Sequence, residues 1–308
     1  MKGVFLDGGV FEAKDLDGFK ALFTEWTFYE TTTCEDVLER SKDADVLLVN
    51  KVKVSKESIE QLPKLRLICV LATGMDNVDL EAAKERNILV CNALNYSTES
   101  VAQHTLALIL ALSGRLVENR EFLKQGEWQK STQFCLTKAY PIDLANKKLG
   151  IIGYGNIGKR VGEMAKCFGM KLLIAEGSKP SSERLPLNDL LAQADFLTLH
   201  CPLTDHTKDI ISKKELELMQ SHSILINVSR GGLVVEKDLA TALTENKIFG
   251  AGLDVLGTEP PKENDVLLNL DHPRLLITPH ISWGSKASHK RLIEIIQKEV
   301  KEFVNQKT

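Results

Sequence analysis

Along the whole chain, short apolar runs alternate with segments whose apolar residues recur every three or four positions. Strands joined by crossover helices have this rhythm, so parallel sheets are expected. In the first part, strands are predicted at 4–6, 46–50, 67–70 and 88–91, with helices around 16–24, 35–41 and 80–86. A second series opens at Lys148-Leu149-Gly150-Ile151-Ile152 and continues through 172–175, 196–199, 224–227, 250–255 and 275–277. Its six strands fit one doubly wound nucleotide-binding sheet. The expected class is α/β, with two Rossmann-like domains of doubly wound parallel sheet.

A chain of 308 residues accommodates two such domains and a cleft. The long excursion between the two series, 113–147, holds Trp128, Phe134, Tyr140 and Pro141 and reads as a subunit interface more readily than as a flap over the cleft. The stripe Leu292, Ile295, Ile296, Val300 and Phe303 after Ser285 is helical and has to pack on something. A formal charge of -3 excludes the basic field that nucleic acid or an anionic membrane requires, which leaves a small-molecule partner.

Six cysteines without a CxxC pair point to reduced thiols rather than zinc or a disulfide framework. No cluster of histidine, cysteine and carboxylate predicts a metal. Asp7 breaks the first apolar run where a secretory signal would need continuity, so a cytoplasmic protein is expected. The nearly uncharged stretch 101–112 is shorter than the roughly 20 residues that span a bilayer and reads as a buried helix.

Gly153-Tyr154-Gly155-Asn156-Ile157-Gly158 is a GxGxxG run. Alone it would be weak, but it follows an apolar strand and opens a helix whose buried face reads as Ile157, Val161, Met164 or Ala165, and Phe168. Gly153 permits the tight turn, Gly155 lets backbone approach a pyrophosphate, and Gly158 lets helix and strand pack closely. The helix start adds N–H donors and a positive dipole end. Glu176, at the end of the next strand, is placed to bind the adenosine ribose and to repel a 2′-phosphate. NAD(H) is therefore the expected cofactor, with NADP(H) disfavoured; Ser178 and Lys179 could soften that preference.

Three further phrases each begin where a predicted strand ends: Asn227-Val228-Ser229-Arg230-Gly231-Gly232, Gly252-Leu253-Asp254-Val255-Leu256-Gly257-Thr258-Glu259-Pro260-Pro261, and Thr278-Pro279-His280-Ile281-Ser282-Trp283. Parallel sheets bind ligands at that edge. Singly, each charged residue reads as an ordinary loop or packing group; their succession on consecutive strand ends makes them a candidate set. Arg230 can grip a carboxylate with two parallel bonds. His280 can give and take a proton near neutrality, and Glu259 would accept its other N–H, fix its tautomer and favour its charged form.

These phrases, in this order, resemble the D-isomer-specific 2-hydroxyacid dehydrogenase family over nearly the whole chain. The resemblance extends to Leu71-Ala72-Thr73-Gly74-Met75-Asp76-Asn77-Val78-Asp79, Ser100-Val101-Ala102-Gln103-His104-Thr105 and His200-Cys201-Pro202-Leu203-Thr204. It implies that Arg230, Glu259 and His280 are catalytic, that Asp254 faces the nicotinamide carboxamide, and that Thr105, Cys201, Pro202, Val228, Ser229 and Trp283 border the cofactor. It implies substrate contacts from Lys51, Thr73, Gly74, Met75 and Arg230. It also implies that the C-terminal helix completes the first domain: 1–98 with 286–308 for the substrate domain, and 99–285 for the NAD-binding domain. The 113–147 segment then corresponds to a dimerisation arm of a homodimer, with hinges at 92–101 and 281–285.

With no regulatory domain expected after residue 308, the resemblance is to the compact glycerate dehydrogenase or hydroxypyruvate reductase branch. The implied activity is interconversion of a small 2-keto acid, hydroxypyruvate or glyoxylate, with the D-2-hydroxy acid. Gln103 stands where many members carry glutamate, and Glu176 where most NAD users carry aspartate. Related corepressors that sense NADH are the alternative, opposed by retention of all three groups; formate dehydrogenases typically have glutamine where Glu259 stands. His104 is expected to serve interdomain packing, His200, His206, His222, His272 and His289 to lack a catalytic partner, and Asp76 and Asp79 to cap turns and helices.

Overall fold

The computed structural model describes residues 1–177 and 183–306. The chain divides into two compact units, Met1–Ser97 with Gly284–Thr308, and Thr98–Trp283. The first is built on a parallel sheet of β1 (Lys2–Phe5), β2 (Glu25–Phe28), β3 (Val46–Val49), β4 (Leu67–Val70) and β5 (Leu89–Asn92), in the order β2-β1-β3-β4-β5. Strands β3 and β4 are buried at every position, which is why they read as unbroken apolar runs rather than alternating ones. The crossovers carry α1 (Asp17–Lys20), α2 (Val37–Ser41), α3 (Lys56–Glu60) and α4 (Leu80–Glu85). Asp79 caps α4 by accepting the Ala82 N–H at 2.9 Å.

Two elements of this unit escape the sequence pattern, and one shortens. Edge strand β2 has Trp26 stacked on Phe23 and Phe19 at 5.6 and 6.2 Å, and its half-exposed Glu-Trp-Thr-Phe shows no clean alternation. Helix α3 is a five-residue segment capped by Ser55, too brief for a helical period. The helix expected at 16–24 is only the single turn α1, because the chain must already enter β2 at Glu25.

The C-terminal helix, Lys286–Asn305, packs beside β5 with Leu292, Ile293, Ile296, Val300 and Phe303 buried. Ile293 takes the inward place expected for Ile295, which is half-buried. Each buried aliphatic side chain stabilises the unit by about 1.5–3 kcal/mol relative to exposure.

The second unit has six parallel strands: β6 (Lys148–Ile152), β7 (Lys171–Ile174), β8 (Phe196–Leu199), β9 (Ile224–Asn227), β10 (Gly250–Leu253) and β11 (Leu275–Ile277). Their order is β11-β10-β9-β8-β6-β7, so the direction of winding reverses between β6 and β8. Alternate residues serve opposite faces: Leu197 and Leu225 enter one core cluster, Phe196, Ile224 and Ile226 the other. Around the sheet are α5 (Thr98–Ser113), α6 (Leu116–Lys124), α7 (Asn156–Cys167), α8 (Leu187–Leu191), α9 (Lys213–Leu218) and α10 (Glu236–Thr244). Helix α5 lies against α7, β9 and β10.

The 113–147 segment contains a helix that its sequence did not announce, because α6 buries none of its residues. Phe168 corrects the expected inner face of α7: it follows the last helical turn and is 43% exposed, while Val161 and Ala165 are buried. Among the described residues, no single helix is long and apolar enough to cross a membrane.

Candidate active site

The turn between β6 and α7 fits a dinucleotide. Gly153 has φ +92°, and a Cβ there would meet Cys201 N at 2.4 Å, so the turn must run against the loop leaving β8. At Gly158 a Cβ would lie 2.2 Å from Gly153 O, closing the helix onto the strand. Gly155 is different: a Cβ there would meet nothing within 4 Å. The space beside Gly155 at the start of α7 is thus open to a group that would meet N–H groups of the first turn, and the N-cap makes no side-chain hydrogen bond. A pyrophosphate could accept those N–H groups. Glu176 stands exposed just beyond β7, its N–H bonded to Leu185 O at 2.9 Å. Ser178 and Lys179 lie outside the described residues.

At the far border of this cradle, Cys201 and Val228 are buried, Pro202 is exposed, and Ser229 donates through its hydroxyl to Cys201 O at 2.7 Å. Burial raises the Cys201 thiol above its ordinary range. Burial also pushes the His200 imidazole down to about 3, and its Nε2 lies 2.9 Å from Thr198 Oγ1. Thr105 is fully buried, and its hydroxyl bonds Val101 O at 2.8 Å within α5.

Arg230, Glu259 and His280 arrive on three adjacent strand ends of the same edge, after β9, β10 and β11. His280 Nδ1 and Glu259 Oε2 are 2.6 Å apart. The other carboxylate oxygen, Oε1, accepts Leu256 N at 2.9 Å, fixing the acid to its own loop. Asn227 braces the Arg230 loop by donating to Arg230 O at 2.8 Å and accepting Ser229 N at 3.1 Å. Arg230 NH1 donates to Ser229 O at 2.9 Å. The next residue, Gly231, runs so close to the Glu259 loop that a Cβ would lie 2.0 Å from Leu256 C and O. The arginine and glutamate loops are thereby packed backbone against backbone.

Asp254 is fully buried, and its oxygens accept Thr278 Oγ1 at 2.5 Å, Ile281 N at 3.0 Å and Ser282 N at 2.8 Å. The sequence did not reveal this clamp on the His280 turn. His104, expected to serve packing between domains, bonds inside the second unit: its Nε2 is 2.9 Å from Thr278 Oγ1. Trp283 Nε1 donates to His280 O at 3.0 Å.

In the first unit the expected substrate loops also follow strand ends. Asp7 accepts the N–H groups of Asn50, Lys51 and Val52 at 2.7, 2.5 and 2.7 Å, shaping the Lys51 loop after β3. Thr73, Gly74 and Met75 follow β4, with Thr73 O accepting Asn92 Nδ2 at 2.6 Å.

Residues 106–282 match the model of the D-isomer specific 2-hydroxyacid dehydrogenase, NAD binding domain. A glycerate dehydrogenase of Methylorubrum extorquens is 42% identical over 91% of this chain and 89% of its own length. A hydroxypyruvate reductase of Blautia hydrogenotrophica is 39% identical over 99% of this chain and 97% of its own. Among solved structures, D-lactate dehydrogenase from Aquifex aeolicus, complexed with NAD and lactic acid, superposes with a TM-score of 0.86 at 30% identity, covering 99% and 96% of the two chains. The chain belongs to the D-isomer-specific 2-hydroxyacid dehydrogenase family and is an NAD-dependent oxidoreductase that interconverts 2-keto and 2-hydroxy acids.

Proposed function

We propose that this chain reduces hydroxypyruvate or glyoxylate to D-glycerate or glycolate, with His280 as proton carrier, Glu259 as its partner and Arg230 as anchor of the substrate carboxylate. The observation that carries the reading is the 2.6 Å contact between His280 and Glu259, on the sheet edge that also carries the glycine cradle and Arg230. Bound NADH supplies the hydride. The contact to Glu259 occupies Nδ1, so Nε2 is the ring nitrogen left to protonate the carbonyl oxygen, and neutral His280 takes the proton back in oxidation. Arg230 orients the carboxylate by a planar two-point grip.

Glu176 favours NADH over NADPH by bonding the ribose hydroxyls and repelling a 2′-phosphate. The protein works in the cytoplasm, in keeping with its six unbridged cysteines. It works as a homodimer joined through the 113–147 arm, where Leu116, Leu123, Trp128, Phe134 and Tyr140 are all exposed and Phe134 is 91% so. The test is a panel of 2-keto acids followed by loss of NADH or NADPH absorbance. Hydroxypyruvate and glyoxylate should turn over with NADH preferred, and Glu176→Ser should narrow that preference, chiefly by weakening NADH. No turnover across the panel would overturn the reading in favour of a cofactor-sensing protein.

A further inference from the structure

His280 has φ +52°, a left-handed backbone that few residues other than glycine adopt. Such a conformation persists only where its surroundings over-determine it. Here the surroundings are a chain of side-chain bonds running from the turn back to helix α5. Asp254 holds the two peptide N–H groups that follow His280, those of Ile281 and Ser282. Thr278, two residues before it, lies 2.5 Å from Asp254 Oδ1 and 2.9 Å from His104 Nε2. A hydroxyl has one proton, and with Asp254 as a carboxylate that proton goes to the acid. The His104 contact is therefore an Nε2–H donated to the Thr278 oxygen. One helical turn earlier on the same face of α5, Ser100 donates to Ser282 O at 2.6 Å.

We propose that Ser100, His104 and Thr278 are positioning residues: together with Asp254 they hold the His280 turn in its left-handed form, so that Nδ1 meets Glu259. This rests on the reading of His280 as proton carrier. The side chains of the network are half-buried or buried, and Asp254 is fully so. Loss of one donor leaves an acceptor without a partner and frees the turn to relax. A shift of about 1 Å at the proton carrier is enough to lower turnover on the order of a hundredfold while leaving cofactor binding alone.

The experiment uses the isosteric pair Thr278→Val and Thr278→Ser beside His280→Ala and the parent. Thr278→Val should lower kcat with hydroxypyruvate by about ten- to a hundredfold, with the Kd for NADH, read by its fluorescence, within about twofold of the parent. Thr278→Ser, which keeps the hydroxyl, should return to within about threefold. If Thr278→Val does not fold, His104→Leu and His104→Gln carry the same contrast, since the Gln amide can still donate. The ring 15N shifts of His280 give a readout without turnover: the hydrogen-bonded Nδ1–H signature should persist in the parent and in Thr278→Ser and be lost in Thr278→Val. Equal kcat and equal His280 shifts in the Val and Ser variants would overturn the proposal. Full turnover by His280→Ala would overturn the reading beneath it, and the 15N comparison would still decide whether the network holds the turn.

Discussion

Two of the histidine–carboxylate pairs in the second unit lie at opposite ends of the strands of its sheet. At the C-terminal edge His280 Nδ1 lies 2.6 Å from Glu259, after β11 and β10. At the opposite edge His222 Nε2 lies 2.9 Å from Asp195 Oδ1, just before β9 and β8. The second pair was not expected from the sequence, where His222 showed no partner. Its chemistry differs in what surrounds it. Asp195 also accepts Lys148 N at 2.7 Å and pairs with Lys147 at 3.6 Å, so it ties the starts of β6, β8 and β9 together. The His222 side chain is 54% exposed, against 23% for His280. A histidine beside a carboxylate is thus no signature of catalysis by itself. The edge that also carries a glycine cradle and an arginine is what separates the two.

The largest effect expected from this contrast is on turnover. His280→Ala should lower kcat for 2-keto acid reduction by about 10²–10⁴-fold, the usual contribution of a positioned proton donor. His222→Ala should leave kcat within about twofold of the parent. Comparable losses in the two variants would break the distinction between the edges. Next in size is Arg230→Lys, which keeps the charge and loses the planar grip. Its kcat/KM should fall about ten- to a hundredfold, as expected for one charge-assisted bond of about 1.5–3 kcal/mol, with NADH binding unchanged. Near-normal efficiency would mean that the carboxylate is held elsewhere.

His200 sharpens the comparison from a third direction, since it sits at the C-terminal edge, after β8, with a threonine rather than a carboxylate at its ring. Burial holds it neutral, with a folded value of about 3. The unfolded chain takes up a proton near pH 6.5, so between about pH 6.5 and 3 the unfolded state binds more protons and stability falls as pH falls. At pH 5 this penalty amounts to roughly 2 kcal/mol. His200→Gln should flatten that part of the stability curve in urea unfolding, read as the difference from the parent. An unchanged acid slope would mean that the imidazole is not shut away from water.

How much of this could be read before the structure follows from what each element buries. Strands β3, β4, β8 and β9 are buried at every position, and their apolar runs announce them. Helix α6 buries nothing and β2 is a half-exposed edge, so neither leaves a periodic trace. The site divides in the same way. Arg230 and Glu259 stand in phrases after the buried strands β9 and β10, and His280 after the half-buried β11, where position along the chain already implies position on an edge. The bond from His104 to Thr278 spans 174 residues and that from His222 to Asp195 spans 27, and no local pattern encodes either. Thr105 shows the converse: its place in a motif does not tell that the inward face of α5 buries it.

The smallest effect tests whether the second pair is a structural pin. Burial by itself would raise the Asp195 carboxyl, but the Lys148 N–H, the His222 bond and the nearby Lys147 charge together hold it below the ordinary carboxylate value. A depressed acid contributes stability that is present above its unfolded value, about 3.9, and lost as pH falls through the folded one. Asp195→Asn lacks that contribution. Its unfolding free energy should therefore lie below the parent's by less than about 1 kcal/mol from neutral pH down to about pH 4, because the partners of Asp195 are largely exposed and solvent weakens the pairing. The gap should close at more acid pH, and kcat should not change at any pH where both proteins are folded. A gap that stays constant into acid would assign the loss to packing rather than charge. A fall in kcat without a fall in stability would mean that the N-terminal edge takes part in the reaction, and the contrast between the two pairs would fail.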